Sequence, residues 1–151
     1  MANPKPQQVG RAGEHFVAAE ILRRGGYAST FAGNMPAIDV LAADQDQDRT
    51  VWIQVKTKRG RSWQTSITRG MPREPEAASV RFWALVDLSG DVPAYYIIPE
   101  WWMQNNIHDA HLEYLDRHGG QRARTKDSTH HAIPVSRVEQ WRDQWDLLGI
   151  F

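Results

Sequence analysis

Ala37-Ile38-Asp39-Val40-Leu41-Ala42-Ala43 and, after a polar link, Val51-Trp52-Ile53-Gln54-Val55-Lys56-Thr57-Lys58 decide the fold. Each stretch alternates apolar and β-branched residues with others, the pattern of a partly buried strand. The link Asp44-Gln45-Asp46-Gln47-Asp48-Arg49 carries no apolar residue and reads as a solvated turn, so a hairpin is expected. Side chains two apart on a strand share a face. Gln54 and Lys56 therefore point the same way, and the hairpin can bring Asp39 beside them. A carboxylate, an amide oxygen and an ammonium at one sheet edge can hold a divalent cation and stabilise charge on a phosphate.

Outward from the hairpin, residues 7–24 read as an amphipathic helix. Val9, Ala12, Phe16 and Ala19 form a stripe widened by Val17 and Ile21, and Gly25-Gly26 ends it. Strands are expected near 27–32, 37–43, 50–58, 81–88 and 94–98. Residues 60–79, rich in Arg, Ser, Thr, Gly and Pro, read as a long loop. A helix starts at Pro99 and runs through Trp102, and another covers about 108–117. Gly119-Gly120 and the polar run to His131 read as a loop. Ser136 and Glu139 form a capping-box pattern for a last helix over 136–147, with Val138, Trp141 and Trp145 on its apolar side. This order predicts an α/β fold, a mixed central sheet flanked by helices. Residues 1–6 are expected to be a disordered tail and 7–151 a single domain.

The 151 residues are 41% hydrophobic and 24% charged, the composition of a soluble globule. No apolar run is long enough to span a bilayer, and the first residues hold no apolar signal core. The absence of cysteine excludes disulfides and thiolate metal sites and fits a cytoplasmic protein. Formal net charge is zero, but its distribution is uneven. Lys56, Lys58, Arg59, Arg61, Arg69 and Arg73 follow one another with no acidic residue between them, directly after the hairpin. A second basic stretch holds Arg117, His118, Arg122, Arg124 and Lys126. Such runs suit a phosphate backbone, the alternative being a solvated face. Trp63, among these arginines, is expected either to stack on a base or to be half-buried in the loop. Trp83, Trp141 and Trp145 read as core, and Trp52 as a possible wall beside Gln54. His111, His118, His130 and His131 match no metal-binding spacing and read as surface residues.

Gly10-Arg11-Ala12-Gly13-Glu14 at the first helix, Ile38-Asp39-Val40-Leu41, Ile53-Gln54-Val55-Lys56-Thr57, and the strands 82–88 and 94–98 together resemble the PD-(D/E)XK nuclease superfamily. The likeness is to its small stand-alone members: archaeal Holliday-junction resolvases, very short patch repair-like enzymes and an intron-encoded homing endonuclease branch. Trp145-Asp146-Leu147-Leu148-Gly149 also looks like the close of bacterial members. Two departures stand out. Gln54 occupies a position that is usually Asp or Glu, and Pro36 precedes Asp39 by three residues instead of one.

The resemblance implies a restriction-endonuclease-like fold and a DNA endonuclease using Mg²⁺, with Mn²⁺ as a substitute. Asp39, Gln54, the carbonyl of Val55 and Glu14 would be the metal ligands, and Lys56 would join Glu14, Asp39 and Gln54 as a catalytic residue. Lys58, Arg59, Arg61, Trp63, Arg69 and Arg73 would contact DNA. An amide oxygen still ligates a hard cation but brings no charge. Double-strand cutting by so small a domain implies a homodimer or homotetramer. Structural alternatives are an Asp39–Lys56 ion pair, a surface amide at Gln54 and an exposed helix carboxylate at Glu14. Two other functions remain open: a nuclease-fold DNA-binding module without catalysis, and a protein-interaction factor in a toxin, immunity or phage-defence system.

Overall fold

The computed structural model describes residues 2–33, 35–121 and 128–151. Arg122, Arg124 and Lys126 of the second basic stretch lie outside the described residues. Helix α1 (Pro6–Arg23) leads into β1 (Tyr27–Thr30), β2 (Val40–Ala43) and β3 (Thr50–Lys58). Then come β4 (Ser62–Ser66), β5 (Arg81–Asp87), β6 (Ala94–Pro99), α2 (Glu100–Arg117) and β7 (His130–Pro134). The main sheet has the order β1-β2-β3-β5-β6. It is mixed: β3 and β5 run parallel, and the other neighbours are antiparallel. A separate two-stranded ribbon joins β4 to β7.

The expected hairpin is present, with Val40 opposite Ile53 and Ala43 opposite Thr50. Its first strand is shorter than expected because Ala37 takes φ 65°, in the left-handed region, which interrupts the extended chain just before Asp39. Val51, Ile53 and Val55 of β3 face α1, joining Val17, Ile21, Phe82 and Ile97 in one core. Trp83, Leu85, Tyr96 and Ile98 face the other way, onto Met103 and Ile107 of α2 and onto Trp63 and Ile133 of the ribbon. The result is a three-layer sandwich with its sheet covered on both faces. None of the described helices is long and apolar enough to cross a membrane.

Several expectations are corrected. The buried stripe of α1 is Gly13, Val17, Ala18 and Ile21, leaving Phe16 and Ala19 exposed. The two expected pieces of helix after Pro99 are one continuous α2. Residues 60–79 are not a long loop: they hold β4 and a 3₁₀ turn at Ile67–Arg69. The strand β7 replaces the end of the expected loop before His131. The last helix is instead a chain of 3₁₀ turns at Val135–Arg137, Glu139–Trp141 and Trp145–Leu148. Asp143, at φ 53°, breaks it, and its N–H is drawn to the carbonyl of Tyr95 (2.9 Å).

Candidate metal and phosphate site

Beyond Val40 the two hairpin strands part, and Asp39 lies where the next opposing residue would be Gln54. Its backbone N–H still reaches the carbonyl of Ile53 (2.9 Å). Its carboxylate takes over the strand pairing: Oδ2 accepts the N–H of Val55 at 2.7 Å. In a strand the N–H and C=O of one residue point to the same side, so the carbonyl of Val55 is directed towards Asp39, away from β5. Gln54 is only 6% exposed, and its Oε1 is buried without a hydrogen-bond partner.

Helix α1 supplies the remaining carboxylate. Gly13 is buried against β3, and a Cβ there would lie 1.8 Å from Thr57 Oγ1. Only glycine allows this approach, which brings the next residue, Glu14, round to the open end of the hairpin. The Glu14 carboxylate is ion-paired with Arg11, which also donates to the carbonyl of Phe31 (3.0 Å). Asp39, Gln54, Val55, Lys56 and Glu14 line one cleft of about 350 Å³, together with Arg11 and Arg69. Thus all four expected catalytic side chains and all the expected ligand residues meet in one place.

The electrostatics of the cleft are perturbed. Burial raises the pKa of Glu14, and the charge of Asp39 adds to this, while Arg11 opposes both. Burial also lowers the pKa of Lys56; Asp39 opposes that shift and the neighbouring Arg69 reinforces it. Shifted acids and bases gathered in a cleft are a signature of function. The expected residues Asp39, Glu14, Gln54 and Val55 would supply oxygen ligands, the type that hard divalent cations prefer. Among the described residues, no three His, Cys, Asp or Glu side chains gather to hold a metal.

The expected DNA-contacting residues divide. Trp63 is a correction: it is fully buried, donates Nε1–H to the carbonyl of Val86 (2.8 Å) and packs edge-on against Tyr96. Placed on β4 rather than on a loop, it fills the core between ribbon and sheet and cannot stack on a base. Lys58 is a second correction, buried in an ion pair with Asp87 and lying 4.8 Å from the Trp63 ring centroid. Arg59 and Arg61 are exposed; Arg73 pairs with Glu76. Arg69 enters the cleft itself, carried by the 3₁₀ turn that Gly70 seats against α2, 2.8 Å from the backbone N of His108 by its absent Cβ. Trp52 shares the face of Gln54 but does not line the cleft; the guanidinium of Arg81 lies over its ring, 4.3 Å from the centroid. Arg11, a cleft residue, was missed as a site group; the motif Gly10-Arg11-Ala12-Gly13-Glu14 contained it, but nothing in its spacing set it apart.

This fold is a nuclease-like α/β fold. It matches the structure of Hjc, a Holliday junction resolvase from Archaeoglobus fulgidus, with a TM-score of 0.53, 18% identity, and coverage of 94% of this chain and 97% of that one. It matches the bacterial homing endonuclease I-Ssp6803I equally well, with a TM-score of 0.53, 12% identity, and coverage of 97% and 94%. At these identities the likeness is one of fold. No family model and no curated protein sequence matches the chain.

Proposed function

We propose that the protein is a metal-dependent endonuclease hydrolysing DNA phosphodiester bonds, with a Gln variant of the PD-(D/E)XK motif at its centre. The observation that carries this reading is the meeting of Asp39, Gln54, Val55, Lys56 and Glu14 in one cleft. The buried, unpartnered Oε1 of Gln54 fits a cation: a desolvated acceptor without a donor is costly, and a hard metal would satisfy it. Mg²⁺, or Mn²⁺ in its place, would be held by Asp39, Gln54, Glu14 and the Val55 carbonyl. When bound it supplies Lewis acidity at a phosphate oxygen and lowers the pKa of water.

The chain's own residues do the rest. Lys56 orients the attacking water and neutralises charge developing on the phosphate, as a point charge in a partly desolvated cleft. Arg69 adds a second cation facing the same phosphate. Arg11 holds Glu14 in place. Exposed Arg59 and Arg61 extend the positive field along the backbone. A symmetric dimer or tetramer acting in the cytoplasm completes the reading.

One observation favours a second reading, a DNA-binding module without catalysis: the ligand set has an amide where a charge would strengthen it, and Arg11 already pairs with Glu14. Plasmid, linear and four-way-junction DNA incubated with Mg²⁺, Mn²⁺ or EDTA separates the two. Metal-dependent cutting is expected. Asp39→Ala should reduce it by at least about 10²–10³, the scale of losing one transition-state-stabilising group, with binding retained. Cutting by Asp39→Ala at the wild-type rate would refute the site, and metal-independent or absent cutting by wild type would refute the enzyme.

A further inference from the structure

A second cavity of about 360 Å³, as large as the first, opens between the second half of α2 and β7. Its walls carry Arg117, Arg137, His111, His130 and His131, against one described carboxylate, Glu113. Arg137 anchors it. Its Nε donates to Asn106 Oδ1 (3.0 Å), Nη1 to His131 Nε2 (3.0 Å) and the Ala132 carbonyl (3.2 Å), and Nη2 to the Asn106 carbonyl (3.3 Å). All these acceptors are neutral, so a half-buried guanidinium is held without an ion pair among the described residues. Glu113, on the same wall, opposes this charge without an ion pair to it, and a partly buried cation so held favours an anion nearby. Arg137 supplies field rather than grip, because its donors are taken. Grip falls to Arg117, whose described contact is one long bond from Nε to the Glu113 carbonyl (3.4 Å), and to exposed His130.

The β4–β7 ribbon links this cavity to the first one. His130 pairs with Ser66 and His131 with Thr65 across the ribbon, and Ile67 N–H reaches the Thr129 carbonyl at 2.7 Å. Arg69, three residues beyond Ser66, lines the Asp39 cleft. Three residues of chain span at most about 10–11 Å, whereas a duplex presents one charge per about 1.7 Å of axis. A duplex whose phosphate enters the first cleft beside Arg69 presents further phosphates over the ribbon that leads to the second. We propose that the α2–β7 cavity is a second phosphodiester-binding subsite, taking a backbone phosphate of the same nucleic acid that the Asp39 cleft takes. This rests on the nuclease reading. Arg117, of the second basic stretch, lies on this wall.

The test compares wild type with Arg117→Ala/His130→Ala and with Arg117→Glu, measuring duplex affinity in EDTA from about 50 to 200 mM salt. Each lost phosphate contact should lower the slope of log affinity against log salt by about 0.9. The double variant should therefore lose about 0.9–1.8 and the charge reversal should weaken binding further. Both differences should vanish on a duplex trimmed to cover the Asp39 cleft alone. In wild type, the Arg117 Nε and His130 ring resonances should shift on adding duplex more than on adding inorganic phosphate. An unchanged slope in the variants, with a wild type that cuts DNA, overturns the subsite alone. Shifts produced equally by inorganic phosphate, with no change of slope, assign the cavity to a small anion and overturn it as well. A wild type that neither binds nor cuts DNA fails the nuclease reading, and the subsite with it.

Discussion

The proposed chemistry turns on Gln54. Its amide oxygen sits beside two carboxylates with no donor of its own. Gln54→Glu would add a charge to the proposed metal shell, so Mg²⁺ should bind more tightly and cutting should persist at lower Mg²⁺. Titrating the metal against cleavage rate checks this; identical metal dependence in the variant would mean that residue 54 never touches the ion. Lys56 gives a complementary prediction in stability. Its pKa is lowered chiefly by burial, so the folded state holds the charged form at a cost. The unfolded chain keeps its proton to higher pH than the folded one, so this cost is full below the folded pKa and fades as pH rises to the ordinary lysine value. Lys56→Met should therefore raise Tm at neutral pH, by roughly 2–4 °C per kcal/mol relieved in a chain of this size, with the gain shrinking as pH rises towards the ordinary lysine value and cleavage lost. A lower Tm at neutral pH would show that Asp39 and Lys56 hold the fold together rather than strain it.

At the scale of elements, Gly13 sets how closely α1 approaches β3. Gly13→Ala would drive a Cβ to 1.8 Å from Thr57 Oγ1. Helix and strand must separate, at about 1–3 kcal/mol for overpacking, and Glu14 withdraws from the cleft. Chemical denaturation should show the loss, cleavage should fall with it, and Thr57→Ala in the same chain should restore part of both. Full stability in Gly13→Ala alone would refute the close approach. The β2–β3 hairpin was legible because its alternation is local: Val51, Ile53 and Val55 face one way and Gln54 and Lys56 the other, so three site residues could be placed before any tertiary contact was known. Glu14 and the Val55 carbonyl came from family resemblance. The β4–β7 ribbon was not legible. Ser62-Trp63-Gln64-Thr65-Ser66 is short and mostly polar, and the strand it pairs with among the described residues lies near the other end of the chain. The surrounding arginines made the segment look like a loop, so Trp63 was misplaced with it. The last helix failed for a related reason: Ser136, Glu139 and the tryptophan spacing favour a helix locally, but a long-range pairing of Arg142 with Tyr96 overrides them.

For the whole molecule, the remaining question is where the field of a chain with zero formal net charge points. Arg59, Arg61 and Arg69 follow β3, and Arg69 lines the cleft. Replacing all three by Ala should weaken duplex binding and flatten its salt dependence by up to about 3 in slope, with little change in Tm because none belongs to the core. An unchanged slope would turn this face towards solvent or a protein partner. The molecule also carries its own reporter. Val55 lies in the middle strand of the main sheet, yet its N–H is held by a carboxylate and not by a neighbouring strand. Its amide proton should therefore resonate far downfield and exchange with solvent more readily when Asp39 is protonated or drawn away. One cross-peak in a spectrum of the free protein would then follow the loading of the site, without any substrate present.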